Sequence, residues 1–197
     1  MYDMLVINIT PPVPDAEKAI TDDVRNLHAQ ELINAAAYMF TLVPDGNPPR
    51  DLAGEILDVF ARHRALLHNA EFPVGVLMQA TMGHGWKEPS EGFERVTAAD
   101  GSKTYTLCPL DPQFQTYVSD AVRRIAALRP DFLMLDDDTR LFSGRPAGGC
   151  HCPRHRELAK AVGQEKAQLD SMLDFARLVR AAVDAVDPEM PIYYCAC

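Results

Sequence analysis

Residues 72–80 read FPVGVLMQA, an apolar run that polar side chains hardly interrupt. A strand that exposes one face to water alternates apolar and polar residues, whereas a parallel strand covered on both faces is apolar throughout. Four further apolar runs have the same character, at residues 4–10, 35–43, 131–136 and 190–196. The sequence therefore predicts five strands of a buried parallel sheet.

Amphipathic helical patterns separate these five strands. The best-marked pattern begins at Asp111-Pro112, where an N-cap residue precedes a proline at the first helical position. Three other patterns cover residues 15–32, 51–67 and 171–186. The resulting order, βαβαβαβαβ, predicts right-handed crossovers and a parallel sheet.

Two architectures fit this order, a (β/α)8 barrel and an open five-stranded doubly wound sheet. A complete barrel takes about 250 residues, whereas this chain has 197 and its last predicted strand reaches almost to the final residue. We therefore expect residues 1–197 to be the N-terminal portion of a single barrel, about its first five βα units, ending within or at the end of strand 5. The doubly wound sheet is the alternative.

Charge and hydropathy exclude several classes of protein. The chain has 28 acidic and 19 basic residues, a net charge of −9, and no block of Lys or Arg, so it lacks the basic surface of a nucleic-acid binder. It has neither an apolar run of about 18 residues, as a membrane span needs, nor a secretory signal at its beginning. We expect a cytoplasmic protein with no nucleic-acid or membrane partner, and a homo-oligomer is left open.

The stretch GGCHCPRHRE, residues 148–157, concentrates soft metal ligands. Cys150, Cys152 and His155 form a compact set, and Cys108 is the obvious fourth ligand. Three thiolates and one imidazole make a closed tetrahedral zinc site of the structural type, because a catalytic zinc keeps one position open for water. The alternative is a set of free thiols in a glycine-rich loop.

The position of this cluster resembles that of the zinc cluster in the beta-galactosidases of glycoside hydrolase family 42, which are (β/α)8 barrels. In both, an upstream cysteine joins a C-x-C-x-x motif that follows the fourth strand, and His155 stands here in place of the last cysteine of that family. The resemblance implies a glycosidase barrel with a structural zinc. It also implies an acid/base on the fourth strand and a nucleophile on the seventh strand, which would lie beyond residue 197.

Where that family has Asn-Glu at the end of the fourth strand, this chain has three consecutive aspartates, Asp136, Asp137 and Asp138. Glycoside hydrolysis needs two carboxyl groups, one of them held protonated, and clustered carboxylates raise the pKa of at least one member. Side chains alternate along a strand, so Asp137 faces opposite to its two neighbours, and we predict it to be the acid/base. An acidic run of this kind is otherwise a solvated turn.

Five more residues are predicted to contact a sugar, because the carboxyl ends of barrel strands carry the active site. In the loop after the third strand, Trp86 is predicted to stack on a sugar ring and His84 to form a hydrogen bond with it. The others are Asn8, Gln79 and Arg140. The predicted partner is therefore a carbohydrate substrate, with its sugar and anomeric configuration left open.

Two other functions fit the same residues. Asp136, Asp138 and His84 would bind a divalent ion in a metal-dependent hydrolase. A sugar-binding or scaffold barrel without catalysis is the second alternative, favoured by the missing Asn-Glu pair.

Overall fold

The computed structural model describes residues 6–9, 16–67, 73–83, 88–136 and 149–194, without the side chains of Ile7, Asn8 and Ile56. Its elements in chain order are β1 (Val6–Ile9), α1 (Glu17–Ala29), β2 (Ala35–Thr41), α2 (Leu52–Leu67), β3 (Val74–Gln79), β4 (Arg95–Thr97), β5 (Lys103–Leu107), α3 (Pro112–Ala127), β6 (Leu133–Leu135), α4 (Pro153–Val162), α5 (Gln164–Asp184) and β7 (Ile192–Tyr194). Among these described residues, no helix is both long enough and apolar enough to cross a bilayer.

The five predicted strands form one parallel sheet in the order β1-β2-β3-β6-β7. Each of these strands pairs with the parallel strand that comes next in the chain, so the order never reverses. A doubly wound sheet has a point of reversal and helices on both faces. The α/β sheet is therefore wound in one direction only, as in consecutive units of a (β/α)8 barrel.

The helices pack on one face of the sheet, which confirms this winding. Alternate strand residues such as Tyr38, Val76 and Leu133 share a buried core with Phe60 of α2 and Phe175 of α5. We call this the outer face. Its hydrophobic side chains supply most of the buried apolar area, the main force that stabilises the fold.

The opposite face of the sheet, here called the inner face, has a smaller core. Ala35, Ala37, Leu77 and Phe132 are its buried members. The ring of Phe132 lies so close to β3 that a Cβ on Gly75 would come within 2.3 Å of it. Glycine is therefore required at this position for the ring to fill the inner face.

The helix after Asp111 begins as predicted. The Asp111 side chain accepts a hydrogen bond from the Gln113 backbone N–H at 3.1 Å, and Pro112 occupies the first helical position. The last predicted helix differs from expectation, because α5 begins at Gln164 rather than near residue 171. Gly163, with φ +87°, ends α4 and leads directly into α5.

Two elements were not predicted. One is the antiparallel hairpin of β4 and β5 between β3 and α3, and the other is α4 between β6 and α5. Both are insertions in loops that follow strands of the parallel sheet, at the carboxyl ends where a barrel carries its active site. They determine the position of the cysteine-histidine cluster.

Candidate metal cluster and strand ends

The four predicted metal ligands come together from the two inserted elements. Cys108 directly follows β5, whereas Cys150 and Cys152 precede α4 and His155 lies in its first turn. All four side chains are completely buried. Their ligand atoms lie within 4.8 Å of one another, and they form the one such group of three or more found in the described part of the chain.

The spacing of three of the four ligand atoms is close to that around a tetrahedral ion. The Cys108 and Cys152 Sγ atoms are 3.6 Å apart, and the His155 Nδ1 atom lies 3.4 Å from the first and 3.3 Å from the second. Bond lengths of about 2.3 Å to sulfur and about 2.0–2.1 Å to nitrogen give tetrahedral edges of about 3.8 Å and about 3.5 Å. A buried cluster of three cysteines and one histidine with these dimensions is able to hold a metal ion.

The hydrogen bonds behind His155 select the tautomer that metal binding requires. The Ser171 hydroxyl donates to the Gln168 backbone carbonyl at 2.8 Å, so its oxygen is left to accept from the His155 Nε2–H group at 3.0 Å. With Nε2 bonded to Ser171, Nδ1 is the ring nitrogen that faces the cysteines, and it becomes a metal ligand when its own proton is released. Such an outer partner orients a histidine ligand and raises its basicity.

A second buried side chain of α5 fixes the backbone at Cys150. The Gln168 amide accepts from the Cys150 N–H at 2.8 Å and donates to the Cys150 carbonyl at 2.9 Å. A Cβ on Gly149, whose φ is +72°, would come within 2.5 Å of the Gln168 amide. Glycine at 149 therefore provides both the left-handed backbone and the space for this contact.

Hydrogen bonds among the thiols and the imidazole shift the pKa values of these groups. Hydrogen bonds from Cys108 and Cys150, and from the His155 ring and backbone N–H, lower the pKa of Cys152 well below that of an ordinary thiol. Hydrogen bonds to the other two cysteines, together with burial, raise the pKa of Cys108. Burial lowers the pKa of His155, but its bonds to Cys150 and Cys152 outweigh that effect and raise it to about 9. The buried cluster therefore carries a thiolate, the form that binds metal.

Backbone hydrogen bonds join the cluster to the β4–β5 hairpin and the loop after β3. The Leu107 N–H donates to the Met82 carbonyl at 2.7 Å, the Cys108 N–H to the Glu94 carbonyl at 2.8 Å, and the His151 N–H to the Thr97 carbonyl at 2.7 Å. The cluster thus connects the loops that follow two adjacent strands, β3 and β6.

Polar residues lie at the carboxyl ends of the same strands. Thr41 pairs with Gln79 in the register of β2 and β3. Met78 pairs with Leu135, so Asp136, the residue after β6, comes next to Gln79, and its N–H donates to the Met78 carbonyl at 3.3 Å. Alternation places all three residues on the inner face, because Phe40, Met78 and Leu135 belong to the outer core. Gln79 and Asp136 are half-buried.

The remaining predicted site residues divide into two groups. Asn8 pairs with Ala37, in the middle of β2, rather than with its last residue. The others lie outside the described residues: His84, Trp86, Asp137, Asp138 and Arg140. Their proposed roles stay predictions.

Sequence reasoning missed Gln168 and Ser171. Both are polar residues that α5 buries, at 6% and 1% exposure, and buried polar side chains are ordinarily hydrogen-bonded. Their spacing of three residues on one helical face was visible in the sequence. Their distance from the cysteines was not, because it depends on the break between α4 and α5.

No protein-family model and no curated protein matches the chain. Solved structures do match, and they are glycoside hydrolases with TIM-barrel folds. An alpha-L-fucosidase isoenzyme 2 from Paenibacillus thiaminolyticus matches with a TM-score of 0.58 and 12% identity over 97% of this chain and 32% of that one. The alpha-N-acetylgalactosaminidase NagBb from Bifidobacterium bifidum matches with a TM-score of 0.53 and 14% identity, over 98% of this chain and 36% of that one. The exo-beta-1,4-mannosidase Op5Man5 from Opitutaceae bacterium strain TAV5 matches with a TM-score of 0.52 and 14% identity, over 97% of this chain and 31% of that one.

At these identities the likeness concerns the fold. The chain spans about a third of the length of these three glycosidases. The predicted α/β fold is thereby confirmed: this chain has the structure of part of a (β/α)8 barrel.

Proposed function

We propose that the chain is the N-terminal part of a glycoside hydrolase barrel that cleaves a glycosidic bond with carboxylate acid/base chemistry. The observation that carries the proposal is the polar end of the inner face, where Gln79 ends β3 and Asp136 directly follows the adjacent β6. In barrel enzymes the catalytic groups come from the carboxyl ends of several strands. The glycosidases that share the fold support a carbohydrate as the substrate.

In this proposal the aspartate run supplies the acid/base. Asp137 donates a proton to the glycosidic oxygen as the bond from that oxygen to the anomeric carbon breaks. The new bond to the anomeric carbon comes either from a water that the second carboxylate deprotonates, or from the second carboxylate itself, whose glycosyl ester is then hydrolysed by a water that gives its proton to Asp137. Asp136 and Asp138 flank it, and the second carboxylate comes from another strand of the full barrel. Sugar hydroxyls and ring faces are contacted by Asn8, Gln79, His84, Trp86 and Arg140.

We also assign a structural zinc ion to Cys108, Cys150, Cys152 and His155. Zinc bound by four protein ligands has no open position for water, so its contribution is to hold protein segments together. Here the segments are the loops after β3 and β6, which flank Gln79 and Asp136. The cluster would therefore fix the shape of the active-site wall without taking part in the reaction.

Charge and thiol chemistry support the proposed partners and location. A net charge of −9 disfavours nucleic acid as a partner. Three buried free cysteines around one histidine fit a reducing compartment, which supports a cytoplasmic protein.

The experiment measures the zinc content of the full-length protein by mass spectrometry and its activity on a panel of nitrophenyl glycosides. We expect one zinc per chain and turnover of at least one glycoside. Asp137→Asn should lower kcat by at least about a hundredfold, the usual contribution of general acid–base catalysis. Asp136→Asn and Asp138→Asn test the neighbours, and Asp58→Asn, on the exposed side of α2, is the matched control.

Three outcomes would contradict the proposal. Activity that mild chelation removes and Mg²⁺ or Mn²⁺ restores would show a metal-dependent hydrolase. Sugar binding without turnover in any variant would show a binding domain. Turnover that none of the three aspartate variants alters would place the acid/base elsewhere.

A further inference from the structure

A groove lies on the outside of the carboxyl ends, away from the polar row of Thr41, Gln79 and Asp136. It has a volume of about 640 Å³ and is formed by the loop after β2, the loop after β3 and the first turns of α3. This volume is within the range of about 300–1,000 Å³ that is usual for ligand pockets. We call it the aromatic groove, after the two rings that line it.

The two rings, Phe93 and Tyr117, are held in fixed positions. Their centroids are 5.9 Å apart at an interplanar angle of 69°, an edge-to-face pair. The Tyr117 hydroxyl donates to the Leu42 carbonyl at 3.0 Å. Both residues are half-buried, so part of each side chain remains accessible to a ligand.

Polar side chains surround this apolar floor. Glu91, Gln113 and Thr116 line the groove and are exposed. The Glu91 backbone N–H donates to the Asn47 side chain at 2.9 Å, which joins the two loops. The Glu91 carboxylate accepts hydrogen bonds, the Gln113 amide both donates and accepts, and the Thr116 hydroxyl accepts while it donates to the Pro112 carbonyl at 2.8 Å.

The charge of the lining restricts the ligand class. No Lys or Arg is among the described lining residues, and the single charge is the carboxylate of Glu91. Phosphate and carboxylate ligands are therefore disfavoured, because they are normally held by cationic side chains. A neutral ligand with an apolar ring face and a rim of hydroxyls fits both the floor and the edge.

We infer that the aromatic groove is a second carbohydrate subsite, in which a pyranose ring packs in the angle between Phe93 and Tyr117 and its hydroxyls bond to Glu91, Gln113 and Thr116. The inference rests on the proposed function for the choice of carbohydrate. The groove lies in the loops after two barrel strands, so its ligand would be a part of the same polysaccharide or glycan that enters the barrel mouth. Remote binding of this kind positions a substrate without touching the reacting atoms.

The test is saturation-transfer NMR and calorimetric titration of the full-length protein. The probes are methyl β-D-galactopyranoside, N-acetylgalactosamine, methyl β-D-mannopyranoside and L-fucose. Thr116→Arg fills the groove from an exposed helical position, and Ala127→Arg places the same side chain at an exposed position at the end of the same helix. Phe93→Leu removes a stacking ring but keeps apolar volume, so it tests the floor independently.

We expect at least one probe to bind, with an affinity that falls by about tenfold or more in Thr116→Arg and Phe93→Leu, as for a buried aromatic anchor. Ala127→Arg should bind as the unmodified protein does, and the same signal should survive Gln79→Ala and Asp136→Asn.

Two results would overturn the inference while leaving the proposed function intact. The first is sugar binding that the groove variants keep and the strand-end variants lose. The second is groove binding of a proline-rich peptide, with every sugar bound elsewhere or not at all while glycosides are still hydrolysed. Absence of both sugar binding and glycoside turnover would instead refute the proposed function, and this inference with it.

Discussion

The cysteine-histidine cluster and the polar strand ends both lie at the carboxyl side of the sheet, yet they are built in opposite ways. The cluster has four ligands without solvent exposure, and its histidine and backbone are held by the buried Ser171 and Gln168. Gln79 and Asp136 are half-buried and face the inner side of the sheet. The difference separates two tasks, since a buried, satisfied network fixes a structure and an accessible polar row is available to a ligand.

The largest expected effect is the loss of a cluster ligand. Cys108→Ser should abolish tight zinc binding and lower the free energy of unfolding by on the order of 5 kcal/mol or more, because apparent binding energies of structural zinc sites are about 10–16 kcal/mol. His155→Cys is the matched variant, since it keeps four side chains that can bind zinc. Metal content and thermal unfolding should separate the two. A stable, zinc-free Cys108→Ser protein would show that the cysteine-histidine cluster is no more important for stability than the polar strand ends.

A smaller effect is expected from the partner of the histidine ligand. Ser171→Ala leaves all four ligands in place but removes the acceptor of the His155 Nε2–H group. Outer partners of this kind are worth about 10–100-fold in metal affinity, and competition with a chromophoric chelator measures that change. Ser119→Ala, another buried serine in the neighbouring helix α3, should leave affinity unchanged. An equal loss in both variants would indicate general destabilisation instead.

The sequence predicts the cluster better than its surroundings, and the reason is physical. Metal ligands are specific residue types, and Cys150, Cys152 and His155 are close in the chain, so they are recognisable without a structure. The hairpin of β4 and β5 has strands of three and five residues, too short for a clear apolar pattern. The hairpin is joined to the loop after β3 by the hydrogen bond from the Leu107 N–H to the Met82 carbonyl, which depends on tertiary placement.

The parallel sheet was predictable for a similar reason, since near-continuous apolar runs between amphipathic helices are typical of buried parallel strands. The sequence pattern did not decide between a barrel and a doubly wound sheet, because that choice depends on the order of the strands in the sheet and on which face the helices cover. The inner face is distinguished by small residues, Ala35, Ala37 and Gly75, and their meaning is clear only beside the ring of Phe132. Asp136 was placed correctly at a strand end, although β6 ends one residue before it.

An exposed ion pair between the helices gives a third, weaker class of interaction. The Arg124 guanidinium and the Gly54 N–H lower the pKa of Asp51 to about 2, so the stabilisation is complete above the ordinary carboxyl pKa near 4 and is lost as pH falls toward 2. Because the Asp51 side chain is 63% exposed, the ion pair should contribute less than about 1 kcal/mol to the free energy of unfolding. Asp51→Asn keeps a capping side chain and removes the charge.

The measurement is denaturant unfolding of Asp51→Asn and the unmodified protein at several pH values. Loss of metal in acid affects both proteins equally, so only their difference is informative. That difference should be present at pH 6 and absent near pH 2. A difference that persists in acid would mean that packing, not charge, is the cause. The control is Asp58→Asn in helix α2, which directly follows Asp51.

The smallest effect on stability is expected at the strand ends, and it tests the other half of the comparison. Gln79→Ala should change the free energy of unfolding by no more than about 0.5 kcal/mol, since its side chain is half-buried at the edge of the inner face. It should raise KM for a hydrolysed glycoside more than it lowers kcat, as loss of a substrate contact does. Thermal unfolding and steady-state kinetics on one preparation give both values. If Gln79→Ala destabilised the protein as strongly as a ligand variant does, the strand ends would be part of the structural framework, and the polar row could no longer be assigned to substrate.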